Sequence, residues 1–238
     1  MLEIGPGIGP LTVQLAKRAA RVAAIELDKS LLPILDETLA PYDNVTVIPG
    51  DAMKLDLAAL AAEQFGDLTP LTCANLPYNI TTPVLTALME AKCFRAITVM
   101  IQREVALRIC AAPGTADYGA FSLFCQYHTV PEFLFEVPPE CFLPAPKVTS
   151  AVIRLVPRDT PPQDLVDEAF FFRVVKASFA QRRKTLLNGL TSAFGDRLSK
   201  EQLRQAIVAV GLPEGVRGER LGIGEFAALA QAIQAMEA

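Results

Sequence analysis

The chain has 238 residues, enough to bury one large core or one core with a small satellite. Hydrophobic residues make up 51% and mean hydropathy is +0.32, which excludes a disordered polypeptide, while no apolar run reaches the length that spans a bilayer. The formal net charge is −4 and the pI about 5.2, which taken alone argues against a nucleic-acid partner.

In chain order, the first half alternates strand-like and helix-like runs. Residues 1–4 read as an apolar strand with no basic and apolar leader before it, so the chain is expected to begin inside a domain. Residues 10–19 carry helical spacing, with Leu11, Leu15 and Ala19 on one side. A second strand is expected at 22–25, a helix at 30–39 with Leu31, Leu35 and Leu39 four apart, and further strands at 45–48, 71–74 and 97–101. Helices at 82–89 and 104–111 lie between and after the last of these. Continuous apolar strands alternating with helices predict an α/β fold with a parallel sheet covered on both faces. After Gly119 the rhythm changes. Residues 130–137 and 150–155 read as two strands without an intervening helix, an antiparallel addition to the sheet edge. VPRDTPPQD at 156–164 reads as a linker, and everything beyond it as helix, at 168–179, 184–193, 200–210 and 225–235. Two domains are expected, 1–157 and a small all-helical one at 163–238.

The five cysteines, Cys73, Cys93, Cys110, Cys125 and Cys141, are never closer than 15 positions and form no CxxC pair, which excludes a zinc framework. Free, mostly buried thiols in a reducing cytoplasm are expected. His128 is the only histidine and is expected to pack or cap rather than to catalyse.

The first strand ends in EIGPGIGP. Gly5 and Gly7 allow a tight turn and close approach of a ligand to the backbone, with the next helix pointing its N-terminus at that ligand. A lone glycine turn is common, but the second strand ends in IELD, with Glu26 and Leu27 at its tip 21 positions after Gly5. A carboxylate there accepts both hydroxyl hydrogens of a ribose. The third strand ends in PGDA. Asp51 there suits an adenine amino group, and the backbone N–H of Ala52 a ring nitrogen. An NAD-dependent dehydrogenase also pairs a glycine turn with such an acid. Glu3 ahead of the first glycine, and Asp51 for an adenine, suit S-adenosylmethionine better, since its amino-acid end lies over the turn with no pyrophosphate to neutralise.

The fourth strand leads into LTCANLPYNI. An exocyclic amine on an aromatic ring is a poor nucleophile because its lone pair is delocalised. Asn75 Oδ1 and the Leu76 carbonyl are placed to accept its N–H bonds and favour an sp3 nitrogen aimed at a sulfonium methyl. Pro77 stiffens the turn, and Tyr78 offers a face on which a flipped base stacks.

EIGPG, IELD, GDA and NLPYNI, in this order, resemble the ribosomal RNA adenine N6,N6-dimethyltransferases. CFLPAPKVTSAVIRLVP and FAQRRKTLLNGL extend the resemblance over nearly the whole chain and favour the KsgA type, which modifies small-subunit rRNA, over the erythromycin-resistance type, which modifies large-subunit rRNA. The resemblance implies a class I S-adenosylmethionine-dependent methyltransferase, Rossmann-like, with a helical RNA-binding domain. Two adjacent adenosines near the 3′ end of small-subunit rRNA would each receive two methyl groups during ribosome biogenesis. Gly5, Gly7, Glu26, Asp51, Ala52 and Asn75 match cofactor positions, and Asn75, Leu76, Pro77 and Tyr78 match the target-base motif. The resemblance also implies a segment ahead of the first strand, carrying a Gln-Asn-Phe-Leu-like motif over the methionine end of the cofactor. A chain starting at the strand itself is expected to bind the donor weakly.

Between 173 and 184 stand Arg173, Lys176, Arg182, Arg183 and Lys184 without an acidic residue among them. On helices these would line one face toward RNA phosphates. A cytoplasmic monomer acting on a pre-ribosomal particle, without metal, is the leading expectation. A large-subunit dimethylase and a non-catalytic RNA-binding assembly factor on the same fold are the alternatives.

Overall fold

The structure is a computed structural model that describes every residue except Asp164, Val166, Arg182, Arg183 and Ala238. The chain divides into two compact units, one of Met1–Ala106 with Thr129–Pro157, the other of Leu107–His128 with Arg158–Ala238.

The first unit is built on one seven-stranded sheet. Its strands are β1 (Leu2–Ile4), β2 (Val22–Glu26), β3 (Val45–Pro49), β4 (Thr72–Asn75), β5 (Ile97–Gln102), β6 (Thr129–Val137) and β7 (Ser150–Pro157), in the spatial order β3-β2-β1-β4-β5-β7-β6. The first five are parallel. β7 runs antiparallel to both β5 and β6, closing the sheet with the expected antiparallel edge. β1 and β2 are buried along their whole length, which is why they read as unbroken apolar runs rather than as alternation. The strand order reverses between β1 and β4. Ligands of open α/β sheets bind at that reversal, outside the carboxyl ends of the strands.

Helices α1 (Pro10–Ala16), α2 (Leu32–Leu39), α3 (Leu57–Phe65) and α4 (Thr81–Glu90) connect the parallel strands. α3 buries Leu57, Ala61 and Phe65, spaced by four, and Asp56 caps it by accepting the N–H groups of Ala58 and Ala59. The sequence pattern predicted no helix at 57–65, and it extended α1 to residue 19, whereas the helix stops at Ala16. The division between the units falls within α5 (Arg103–Cys110).

The second unit contains α6 (Ala120–His128), α7 (Glu168–Phe179), α8 (Leu186–Phe194), α9 (Lys200–Ala209) and α10 (Ile223–Glu237). Its core gathers Leu123, Phe171, Val174, Leu190, Phe194, Leu203, Phe226 and Ile233, all fully buried. α6 was not expected from the sequence, and it changes the domain organisation. Tyr127 of α6 lies 5.5 Å from Phe171 of α7, ring to ring. The Tyr118 hydroxyl donates to the Leu221 carbonyl at 3.0 Å. These interactions place Leu107–His128 with the C-terminal helices, not in the expected 1–157 domain. His128 packs 4.6 Å from the Phe124 ring and 5.6 Å from that of Phe172. α8 begins at Leu186 rather than at residue 184. Among the described residues, no helix is long and apolar enough to cross a membrane.

The cysteines are less buried than expected: Cys125 is buried, Cys73, Cys93 and Cys110 are half-buried, and Cys141 is exposed. Burial pushes the thiols of Cys73, Cys93, Cys110 and Cys125 up, so these four stay protonated at neutral pH.

Candidate active site

At the sheet's reversal the chain leaves β1 through Gly5, Gly7 and Gly9, with φ of 69°, 61° and 92°. Side chains are strained at such angles, so the turn is specified by glycine. The Gly5 N–H donates to the Ile25 carbonyl at 3.0 Å, tying the turn to β2. Gly9 lets α1 close on α2, since a methyl group there would lie 3.2 Å from Thr38 Cγ2. α1 has only seven residues and no side-chain cap, so the glycine backbone, more than a helix dipole, is what this turn presents.

Glu26 is the last residue of β2 and is 6% exposed. Its Oε2 accepts the Gly7 N–H at 3.3 Å and its Oε1 the Asp28 N–H at 2.8 Å. The carboxylate is therefore locked against the glycine turn, and each oxygen keeps a lone pair for a hydroxyl donor. Asp51 stands just past β3. Its Oδ1 accepts the Met53 N–H at 3.0 Å, and Lys54 Nζ lies 3.6 Å from Oδ2. The Ala52 N–H bonds to nothing among the described residues. Three exposed apolar side chains sit in the loops at these strand tips, Ile8, Leu27 and Met53. Of these the sequence pointed only to Leu27, because single apolar residues in loops carry no pattern.

Glu3, on β1, is 1% exposed. Burial pushes its carboxyl up to about 7, and the neighbouring Thr12 hydroxyl offsets this in part. Neither Glu3 Oε2 nor the Thr12 hydroxyl completes a hydrogen bond.

β4 delivers the second half of the site. Asn75 is exposed at its end, and its side-chain amide bonds to nothing among the described residues. The Leu76 N–H donates to the Met100 carbonyl at 3.1 Å, while its own carbonyl accepts nothing among the described residues. Pro77 stands beside the glycine turn: a methyl group on Gly5 would lie 3.8 Å from Pro77 Cδ. The Tyr78 hydroxyl is 2.7 Å from Ser150 Oγ. Asn75, Leu76, Pro77 and Tyr78 line a cavity of about 280 Å³ together with Phe142, Pro144 and Pro146. That is small for a ligand pocket and suits a single base. Nothing in the sequence pattern gave Phe142, Pro144 and Pro146 a role. Their signal was the proline-rich run CFLPAPK, which joins β4 only in the folded sheet.

The second unit holds the basic residues. Arg173 and Lys176 are exposed three apart on α7, and the Arg173 guanidinium lies 4.5 Å from the Phe194 ring centroid. Lys184 is exposed in the turn before α8. Arg182 and Arg183 lie outside the described residues. No group of three or more His, Cys, Asp or Glu able to hold a metal occurs among the described residues.

A sheet of this strand order whose last strands run antiparallel, with a glycine turn and a strand-tip carboxylate at its reversal, is the architecture of class I methyltransferases. The chain belongs to the ribosomal RNA adenine dimethylase family, whose profile matches residues 1–231. It is 50% identical to ribosomal RNA small subunit methyltransferase A of Geobacillus kaustophilus, over 98% of this chain and 80% of that protein. The protein of the same description from Bacillus mycoides is 52% identical over the same shares. Among solved structures, a dimethyladenosine transferase from Plasmodium falciparum superposes with a TM-score of 0.76 at 23% identity, covering 99% of this chain and 90% of that one. The 23S rRNA methyltransferase ErmE gives 0.69 at 24%, covering 98% and 90%. At these identities the two structures speak for the fold alone.

Methyltransferases of this class draw on S-adenosylmethionine, and the residues present fit it. The buried Glu26 carboxylate has lone pairs to spare, the Ala52 N–H has no partner among the described residues, and the unpartnered Glu3 Oε2 lies on the strand that ends in the glycine turn.

Proposed function

We propose that this chain dimethylates N6 of two adjacent adenosines near the 3′ end of small-subunit rRNA, on a pre-ribosomal particle in the cytoplasm. The single observation that carries the reading is that Asn75, Leu76, Pro77 and Tyr78 line one base-sized cavity, with Pro77 of that lining standing beside Gly5. Relatives at 50% identity are named for the small subunit, which favours that acceptor over the large-subunit one. The intact set of Glu26, Asp51 and Asn75 weighs against a non-catalytic assembly factor.

S-adenosylmethionine supplies an electrophilic methyl group when bound. Glu26 is assigned to the ribose hydroxyls, Asp51 and the Ala52 N–H to the adenine, and Leu27 to its face. Glu3, Gly5 and Gly7 are assigned to the amino-acid end, and Asn75 to the junction between donor and target. In the first transfer Asn75 Oδ1 and the Leu76 carbonyl accept the two N–H bonds of the target amine; in the second, one of them accepts the single N–H that remains. As that nitrogen becomes tetrahedral these bonds strengthen, so they act on the transition state more than on the ground state. The rings of Tyr78 and Phe142 hold the base after it leaves its stack. Arg173, Lys176, Arg182, Arg183 and Lys184 are assigned to RNA phosphates, a recognition of shape rather than sequence.

The test is Asn75→Ala. Single-turnover transfer of labelled methyl to undermethylated small subunits should fall on the order of a hundred- to a thousandfold, with cofactor affinity changed far less. Transfer at the parental rate would reduce the NLPY turn to a strand cap. Offering purified large subunits as acceptor separates the alternative: preferential transfer to them would overturn the small-subunit assignment.

A further inference from the structure

We infer that Ser150 is a positioning residue for the target base, its hydroxyl fixing the Tyr78 ring at the cavity wall. The inference rests on the reading of Tyr78 as the base's stacking platform. Tyr78 opens a short 3-10 turn, Tyr78–Ile80, that follows Pro77 and lies outside the sheet. The turn itself is held by the Ile80 N–H to the Pro77 carbonyl, at 3.2 Å. Such a turn leaves an aromatic side chain several rotamers, and only some present a ring face to the cavity.

Ser150 is anchored quite differently. It is 0% exposed and opens β7, paired with Gln102 of β5 on one side and Val137 of β6 on the other. A hydroxyl in the interior of a sheet has almost no positional freedom. Its Oγ lies 2.7 Å from the Tyr78 hydroxyl, across 72 residues of sequence. The bond ties the free end of the ring to a buried residue paired on both sides within the sheet, and either oxygen can act as donor. The other aromatic side chain lining the cavity, Phe142, comes from the segment between β6 and β7 that ends at Ser150. One hydroxyl therefore sets one lining ring from the end of the segment that carries the other. Tyr78→Phe is then not a silent change, since it leaves the ring face intact but orphans a fully buried hydroxyl.

The experiment is a double-mutant cycle on single-turnover methyl transfer to undermethylated small subunits, with S-adenosylmethionine titrated directly and melting followed for every variant. Ser150→Ala and Tyr78→Phe should each slow transfer roughly three- to tenfold, the equivalent of one neutral hydrogen bond. Cofactor affinity should be unchanged in both, and the double variant should be no slower than the worse single, because both remove the same bond. Ser150→Thr, which keeps the hydroxyl, should recover most of the rate. Additive losses, or a Ser150→Ala variant that melts earlier yet transfers at the parental rate, would overturn the inference and leave Ser150 as sheet packing. If Ser150→Ala does not fold, Tyr78→Phe, altered in a half-buried turn, still decides: parental transfer by that variant overturns it. Tyr78→Ala separates the two levels. If it too transfers at the parental rate, the stacking assignment fails. If it is strongly impaired while Ser150→Ala and Tyr78→Phe are not, stacking stands and only the role of Ser150 falls.

Discussion

Two buried carboxylates on neighbouring strands meet opposite fates. Glu26 has both oxygens bonded to backbone N–H groups, whereas Glu3 has Oε2 unpartnered and its carboxyl pushed up to about 7 by desolvation. Against its ordinary value of 4.5, Glu3 keeps a proton in the folded chain that the unfolded chain has already released. Stability therefore falls as pH rises from about 4.5 to about 7 and falls no further above that. At 1.36 kcal/mol for each pH unit, the loss is on the order of 3 kcal/mol. Glu3→Gln keeps the shape and removes the titration. Its melting temperature should gain on the parent progressively above pH 5 and hold a constant lead above pH 7, by calorimetry across that range. Parallel curves would mean that Glu3 is already ionised in the folded chain. Glu26→Ala should instead weaken S-adenosylmethionine roughly ten- to a hundredfold, the worth of a charge-assisted hydrogen bond, with calorimetric titration as the measure. At this scale the sequence showed which residues stand at strand tips, because a tip follows directly from where an apolar run stops. It did not show that Gly7 and Asp28 hold the Glu26 oxygens, or that Phe142 lines the cavity of Asn75, because those arrangements depend on sheet order.

At the scale of elements, two positions test opposite sides of the same backbone rule. Lys92 follows the C-cap of α4 with φ of 52°, its N–H donating to the Met89 carbonyl. Glycine is the residue that takes this conformation without cost, so Lys92→Gly should stabilise the chain by about 1 kcal/mol. Gly189 lies inside α8, where alanine would ordinarily gain up to about 1 kcal/mol. A methyl group there would sit 2.6 Å from the Ala177 carbonyl oxygen, at the C-terminal end of α7. Gly189→Ala should therefore lose about 1–2 kcal/mol net, overpacking outweighing propensity. Denaturant melts of both variants check the pair; a gain at Gly189 would mean that α7 and α8 separate freely. The elements themselves were legible where one face is apolar and the other is not. The strands of the parallel sheet were found to within two residues, and 168–179 matches α7 at both ends. α3 has a legible signal in its Asp56 cap and Leu57–Ala61–Phe65 spacing, although no helix was expected there. α6 also has a period, with Leu123 and Tyr127 buried four apart, but none of the nine residues of AFSLFCQYH is exposed, so no charged face marks the segment off as a surface helix. The excursion of Leu107–His128 into the second unit was hidden with it.

For the whole molecule, the net charge of −4 conceals a division. The first unit carries 15 acidic and 10 basic side chains, a balance of −5, and the second 11 acidic and 12 basic, a balance of +1. An acidic total is thus compatible with an RNA substrate, because the whole acidic excess lies in the first unit and the helical unit carries none of it. Some there are already committed: Arg204 lies 3.3 Å from Glu201 and 3.7 Å from Glu214, and Arg217 lies 3.9 Å from Glu219. Arg173, Lys176 and Lys184 are different, exposed and with no carboxylate partner among the described residues. The Arg173 guanidinium carbon lies over the Phe194 ring, 4.5 Å from its centroid, and the side chain remains exposed. Replacing all three by glutamine should weaken binding to the small-subunit particle at low salt and flatten its dependence on salt concentration. Each phosphate that one of these cations neutralises accounts for roughly 0.7–0.9 of the slope, so the full change is about 2–3. Because the first unit is untouched, S-adenosylmethionine affinity should stay at the parental value. An unaltered slope, measured by titrating the particle over a range of salt concentrations, would return these three side chains to an ordinary solvated surface and assign the phosphates to cations elsewhere in the chain.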